Sequence, residues 1–320
     1  DRVASELNSF KIPFLAGNAI RNDDGKPYFQ VSTMLDKAGL KVAVLGFDNA
    51  NIKAWLNESL WSGMHFESLL PLVQQEVDKV IAREKPQVVI AAVHSGTGHG
   101  DGSQLESQGL DLYNTLRGVD FVVCAHDHRP VVFQNDSICL INAGSHSRTL
   151  GHGTITVRIE KGKVVGKTIS GELIPVAAEK ADAQMRSHFQ PDYDRVREFT
   201  IRKVGELAMD LSTRDAFTGM SDYINFVHSV QIGCHPAQVS FAAPLKFNGF
   251  VGRGDVLYDD LFTIYPFENQ LYVVKMTGEQ IRNYLEYSYD SWIQTISSPA
   301  DHVLRIHRQD DPRNNHGGWS

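Results

Sequence analysis

At 320 residues the chain exceeds the usual size of one domain, so two separate cores are the expectation. Its 31 basic and 38 acidic residues give a mildly negative balance with no block of like charge, which excludes an electrostatic footprint for a nucleic-acid polymer or an acidic lipid surface. No apolar run approaches the roughly 20 residues of a membrane span, and three scattered cysteines, Cys124, Cys139 and Cys234, without CxxC spacing give no sign of a disulfide framework.

The chain opens at Asp1 without the basic, apolar and small-residue series of a secretory signal. The runs IPFLAGN (12–18), KVAVLGF (41–47), QVVIAAVH (87–94) and VDFVVCAH (119–126) are almost continuously apolar, as strands buried on both faces should be, and they predict a central sheet. Between the second and third, FESLLPLVQQEVDKVIAREK (66–85) sets Leu70, Val73, Val77, Val80 and Ile81 at helical spacing and supplies the long crossover that neighbouring parallel strands require. SICLINAGS (137–145) predicts a further strand. GTITVRIEKGKVVGKTISGELIPV (153–176) alternates about a KGK turn as a hairpin would. The first domain is expected over 1–176.

Residues 177–208 are charge-rich and read as a helical linker broken at Pro191. A second, smaller mixed domain is expected over 209–320. In it SDYINFVHSVQI (221–232) is a helix capped by Ser221, AQVSFAAPL (237–245) and NQLYVVKM (269–276) are strands, and Thr277 and Gln280 stand at capping-box spacing before a last helix.

Two predicted parallel strands end in histidine, His94 and His126, and ligand sites of open α/β sheets lie at the carboxyl ends of strands. If the segment 126–128 is extended, His126 and His128 project to one side and Asp127 to the other. Neutral imidazoles suit a borderline metal, since each offers a lone pair without burying a charge. From spacing alone, exposed loop histidines explain the pattern as well.

VVIAAVHSG, then LRGVDFVVCAHDH, then LINAGSHSRTLG resemble the second half of a calcineurin-like metallophosphoesterase domain. RGDVLYDDLFTIYPFENQLYVVKMTGEQIRNYLEYS is similar to the C-terminal domain that follows it in the 5'-nucleotidase family, which includes UDP-sugar hydrolases and 2',3'-cyclic-nucleotide phosphodiesterases. The resemblance implies an α/β fold: a partial metallophosphoesterase β-sandwich flanked by helices, then a smaller α+β 5'-nucleotidase C-terminal domain. It also implies that His94 and His126 bind one ion of a dinuclear pair and His128 the other, the ions being zinc, manganese or iron. Phe267, in YPFEN, would be the first ring of a nucleoside clamp with Asn269 beside it, and Arg214 a candidate for pairing with phosphate or with Asp215 or Asp222.

This sequence departs from the family in three places. The D-x-H, bridging-Asp and N-H-E motifs have no counterpart, and the segment GNAIRNDDG (17–25) carries Ala19 where a histidine would follow the asparagine, so no catalytic residue is assigned. Three neutral ligands cannot balance two dications, so the ligand set is incomplete. The glycine-rich nucleotide-contacting stretch of many relatives is replaced by AAPLKFNGFVGRG (242–254), and the second clamp aromatic would lie beyond HGGWS. The chain therefore reads as a fragment truncated at both ends, inactive by itself.

Among other residues, His99 and Asp101 sit in a glycine-rich loop, and His146 and His152 flank SRTLG either near the cleft or simply facing solvent. Asn142 and Gly144 read as turn formers. The expected function is metal-dependent hydrolysis of a nucleotide phosphate ester by a water activated between two ions. The partner would be a nucleotide or another small phosphate ester, and the placement periplasmic, secreted or cell-surface. The alternatives are a non-catalytic binding or structural relative, or a hydrolase of nucleotide-sugar or sulfur esters.

Overall fold

The computed structural model describes residues 9–303 apart from 218, 268, 300 and 302, leaving aside also the side chains of 291 and 292. The chain divides into two compact units, one running to Glu179 and the other starting at Lys180. In chain order the first contains β1 (Ala19–Arg21), β2 (Ser32–Lys37), β3 (Leu40–Phe47), α1 (Ile52–Trp55), β4 (Met64–Phe66), α2 (Leu69–Glu84), β5 (Val88–Val93), α3 (Gly109–Thr115), β6 (Phe121–Cys124), β7 (Pro130–Gln134), β8 (Cys139–Ala143), β9 (Thr149–Glu160) and β10 (Lys163–Pro175).

A six-stranded sheet in the order β2-β3-β5-β6-β8-β7 forms the centre of this unit. The inner strands β3, β5, β6 and β8 run parallel, and the edges β2 and β7 are antiparallel to their neighbours. The apolar runs of the inner strands are explained by cover on both faces. On one face α2 and α3 lay Leu69, Val73, Val77, Val80 and Leu112 against Leu45, Val89, Ala91, Val122 and Leu140. Each fully buried side chain of this kind contributes roughly 1.5–3 kcal/mol.

The other face is covered by the β9–β10 hairpin, whose Ile155, Ile169 and Leu173 pack on Phe121, Cys139 and Ile141. Gly153 and Gly171 are register partners in that hairpin. A Cβ on Gly153 would stand 2.6 Å from the Phe121 ring and one on Gly171 2.6 Å from the Cys139 sulfur, so these glycines let the hairpin lie directly on the sheet. The turn between the strands places Lys161 and Gly162 at φ 51° and 75°, the conformation of a two-residue hairpin loop. Lys167 anchors the hairpin through its ammonium, which donates to both oxygens of buried Asp120 at 2.7 and 2.8 Å.

The second unit contains α4 (Ala183–Thr200), β11 (Lys203–Leu207), β12 (Leu211–Ser212), α5 (Asp222–Cys234), β13 (Phe250–Val251), β14 (Gly254–Leu257), α6 (Tyr258–Ile264) and α7 (Gly278–Trp292). Strands β11 and β14 pair, as do β12 and β13, both antiparallel. Its core gathers Leu211, Tyr223, Val227, Val251 and Ile264. Ser221 caps α5 by accepting from the Ile224 amide at 3.1 Å. Thr277 and Gln280 close the reciprocal capping box before α7, each side chain accepting from the other's amide.

Four expectations are corrected. IPFLAGN is not a strand of the central sheet. Leu15 crosses over Gly46 so closely that a Cβ on Gly46 would meet the Leu15 Cβ at 2.3 Å; Leu15 makes only an isolated bridge to Gln30, and β1 beyond it pairs with β4. AQVSFAAPL and NQLYVVKM carry no strand; Tyr272, Val273 and Val274 are exposed, and an apolar run becomes a strand only where a ladder partner meets it. Helix α4 continues through Pro191 instead of breaking there. The edges β2 and β7 were not expected, because strands exposed along one side lack the continuous apolar run of buried ones.

Candidate functional site

The loops that leave the carboxyl ends of β3, β5, β6 and β8 meet at one rim of the central sheet. His94 follows the last residue of β5, its amide bound to the Phe47 carbonyl at 3.0 Å, and His126 lies two residues past β6. The two imidazoles stand edge to face with centroids 5.2 Å apart. The indole of Trp55, in α1, stacks on the His126 ring at 4.8 Å and 19°. His126 is half-buried. Burial, followed by the neighbouring His94, pushes it below the ordinary histidine range, while the Glu106 and Asp127 carboxylates pull the other way.

The segment 126–128 is not extended, so the expected common projection of His126 and His128 is corrected. Both residues adopt left-handed backbone, φ 83° and 56°. Such a conformation costs a non-glycine residue of order 1 kcal/mol or more and persists only where surrounding contacts impose it. Those contacts converge on Asp127. Its carboxylate accepts from the Thr97 amide at 2.6 Å and from the Asn142 side-chain amide at 2.6 Å. Asn142 is fully buried in β8; it also donates to the Thr97 hydroxyl at 3.2 Å, and its carbonyl oxygen accepts from the Gly144 amide at 3.0 Å. With Asp127 turned inward, His126 faces His94, whereas His128 faces His146 with centroids 6.1 Å apart.

Sequence reasoning passed over three of these residues. Asn142 does form the turn to Gly144, yet its larger role is to fix Asp127. Trp55 carried no motif, and Thr97 contributes through its backbone amide, which leaves no trace in composition. Asn18, beside Ala19, is fully buried and bridges Asp48 and Glu67 through its side-chain amide, so it holds a loop together.

In the second unit Arg214 lies over the Phe247 ring, 5.3 Å from its centroid, and Phe247 meets Phe217 edge to face at 5.2 Å. Asn269 donates to the Tyr265 hydroxyl at 3.0 Å, and Phe267 is 49% exposed. The segment HGGWS lies outside the described residues.

Among the described residues no group of three or more histidine, cysteine, aspartate or glutamate side chains is gathered tightly enough to hold a metal ion. The donors present fit the imidazole share of a metal centre and lack its carboxylates. Two imidazoles bound to one ion, each about 2.1 Å away through a ring nitrogen, have centroids roughly 5–6 Å apart, and the His94–His126 spacing of 5.2 Å falls in that range. No helix among the described residues is long and apolar enough to cross a membrane.

The fold is that of a two-unit α/β protein with histidines at the carboxyl ends of two parallel strands of its first unit. Residues 201–306 match the family described as 5'-nucleotidase, C-terminal domain. A 5'-nucleotidase of Vibrio parahaemolyticus is 24% identical over 313 residues, covering 85% of this chain and 56% of that protein. A 2',3'-cyclic-nucleotide 2'-phosphodiesterase/3'-nucleotidase of Haemophilus influenzae is 20% identical over 339 residues, covering 89% and 51%. A crystal structure from Staphylococcus aureus, assigned as a 5'-nucleotidase and in complex with alpha-ketoglutarate, superposes with a TM-score of 0.76 at 17% identity, covering 92% of this chain and 58% of that one. The resemblance read from the sequence is thus borne out, and with it the fold: the chain is similar to 5'-nucleotidases, and residues 201–306 match the C-terminal domain model of that family. It spans about half the length of the curated relatives it matches.

Proposed function

We propose that the protein hydrolyses the phosphate ester of a nucleotide, with the strand-end histidines contributing to a divalent-metal centre and the second unit holding the nucleoside. The observation that supports this most is the pairing of His94 and His126 at the rim of the sheet, in a chain whose later residues match a 5'-nucleotidase C-terminal domain. His94 and His126 would hold one ion and His128 would contribute to a second. Ions of this kind supply Lewis-acid stabilisation of a phosphoryl group and a water nucleophile at neutral pH.

The chain's own residues prepare the place. Asp127 and Asn142 lock the loop so that His126 and His128 face different neighbours, and Trp55 holds the His126 ring in plane. In the second unit the exposed ring of Phe267 would stack on a base, with Asn269 and Arg214 as polar contacts. Periplasmic, secreted or surface placement belongs to the same reading, as the family resemblance implies.

The test is phosphate release by the purified full-length protein from AMP, 2',3'-cyclic AMP and UDP-glucose, in parallel with His94→Ala and His126→Ala. Cleavage of at least one ester, lost in both variants, is expected. No release from any of the three by metal-loaded protein would refute the reading.

A further inference from the structure

We propose that a cavity at the opposite end of the central sheet from the histidines binds a small phosphate-bearing anion, whether or not the rim holds a metal. The cavity measures about 520 Å³, the size of an ordinary ligand pocket, and Gly39, Leu40, Gln87, Ile159, Lys163 and Lys167 are among the residues that line it. Leu40 opens β3 and Gln87 immediately precedes β5, so the site lies at the amino ends of two strands whose carboxyl ends lead to the histidine rim. Its third wall is the turn of the β9–β10 hairpin.

The chain as a whole carries a net charge of -7, yet the three segments around this cavity are rich in lysine. Lys37 and Lys41 flank the turn between β2 and β3, Lys85 follows α2, and Lys161 and Lys163 flank Gly162 in the hairpin. No run of sequence shows this, because the fold gathers the charge from distant segments. The carboxylates of the same segments are already engaged: Asp36 accepts from the Gly39 amide at 3.0 Å, Glu84 pairs with Arg83 at 2.7 Å, Glu160 with Arg158 at 3.7 Å and Asp120 with Lys167. Lys37, Lys85, Lys161 and Lys163 form no ion pair among the described residues. The carbonyl end of α2 would oppose an anion here, and Lys41 offsets it by donating to the Glu84 carbonyl at 3.3 Å.

Two of the walls are fixed to each other. The Gln87 amide donates to the Lys41 carbonyl at 2.9 Å, and the Gln87 side-chain oxygen accepts from the Lys41 amide at 2.8 Å. Lys167 gives N–H bonds to both oxygens of Asp120, at 2.7 and 2.8 Å, which holds its ammonium in place and leaves the third N–H for a ligand. Lys163 is exposed, with its whole charge available. A free cation beside a held ammonium suits a divalent anion better than a monovalent one, and lysine serves phosphate as a point charge. Leu40 and Ile159 make part of the lining apolar, which suits the carbon portion of a phosphate ester.

The 320-residue chain, freed of metal with EDTA, would be titrated with pyrophosphate at low salt by isothermal calorimetry. Saturable binding is expected, weakening as salt is added. Lys163→Ala should weaken it about tenfold, the loss of one charge-assisted contact, and Lys163→Arg should retain most of it. Lys79→Ala removes the same charge from α2, on the other face of the sheet, and should bind as wild type does, as should His94→Ala at the rim. In the wild-type chain pyrophosphate should slow acetylation of Lys163 by acetic anhydride, read by mass spectrometry, and leave that of Lys79 unchanged. Unchanged affinity in Lys163→Ala, binding lost in His94→Ala, or acetylation of Lys163 indifferent to saturating pyrophosphate overturns the proposal, as does a wild-type chain that binds none.

Discussion

The side-chain amide of Asn142 donates to the carboxylate of Asp127 at 2.6 Å, and this one bond joins β8 to the loop that carries both His126 and His128. Replacing Asn142 by Leu fills the same space but leaves a half-buried carboxylate short of a donor and the Gly144 amide short of an acceptor. Such losses cost about 1–3 kcal/mol each. Asn142→Leu should therefore lower the stability of the first unit by roughly 2 kcal/mol or more in urea denaturation followed by tryptophan fluorescence. Asp127→Asn, which can still bond Asn142 after an amide flip, should cost less. An Asn142→Leu midpoint equal to wild type would show that the bond does not support the loop.

The hairpin gives a second prediction. A valine at position 153 has no room above Phe121, whereas Gly166, further out on β10, has only ordinary contact with the Arg158 guanidinium. Gly153→Val should destabilise by about 1–3 kcal/mol, as overpacking does. Gly166→Ala should be neutral or slightly stabilising, since it restricts the unfolded chain at no steric cost. Equal melting temperatures for the two variants would rule out direct packing of the hairpin on the sheet.

These positions show which parts of the molecule were legible in its sequence. The four inner strands and α2 announced themselves, because cover on both faces demands unbroken apolar runs, and the caps at Ser221 and Thr277 were readable because capping is local chemistry. The edge strands β2 and β7 and the unpaired NQLYVVKM were not, since whether a half-apolar run pairs is decided by neighbours far along the chain. In the site, the histidines were found from their strand-end positions. Their pairing was not. A segment assumed extended turned out left-handed at two residues, and the cause, Asn142 holding Asp127, lies 15 residues downstream of the carboxylate it fixes.

The cysteines offer a chemical check on the core. Burial pushes the Cys124 thiol up to about 12 and the Cys139 thiol up to about 11, so neither forms appreciable thiolate at pH 8, whereas Cys234 is exposed. Because thiolate is the reactive form, one thiol per native chain should react with a disulfide reagent at pH 8, and three after denaturation in guanidinium. Raising the pH to 9 should recruit neither Cys124 nor Cys139. Fast reaction of two or more thiols in the native chain would mean that the sheet around β6 and β8 is open.

The last prediction concerns the anchor at the base of the hairpin. Asp120 is 5% exposed, and besides the Lys167 ammonium it accepts from the Val89 amide at 2.9 Å, so it links β10 to β5 through β6. Removing the lysine strands a buried carboxylate, a loss that reaches 3–5 kcal/mol for fully buried pairs; Lys167 keeps some contact with water, so about 2 kcal/mol is expected for Lys167→Met once that screening is allowed for. Asp120→Asn retains an acceptor for the Val89 amide and relieves the charge in the Lys167→Met background. The double variant should therefore recover part of the loss, giving a coupling of about 1 kcal/mol or more in a double-mutant cycle. Strict additivity of the two substitutions would show that the ion pair contributes nothing beyond the bond to Val89, and that the hairpin is held by its apolar contacts alone.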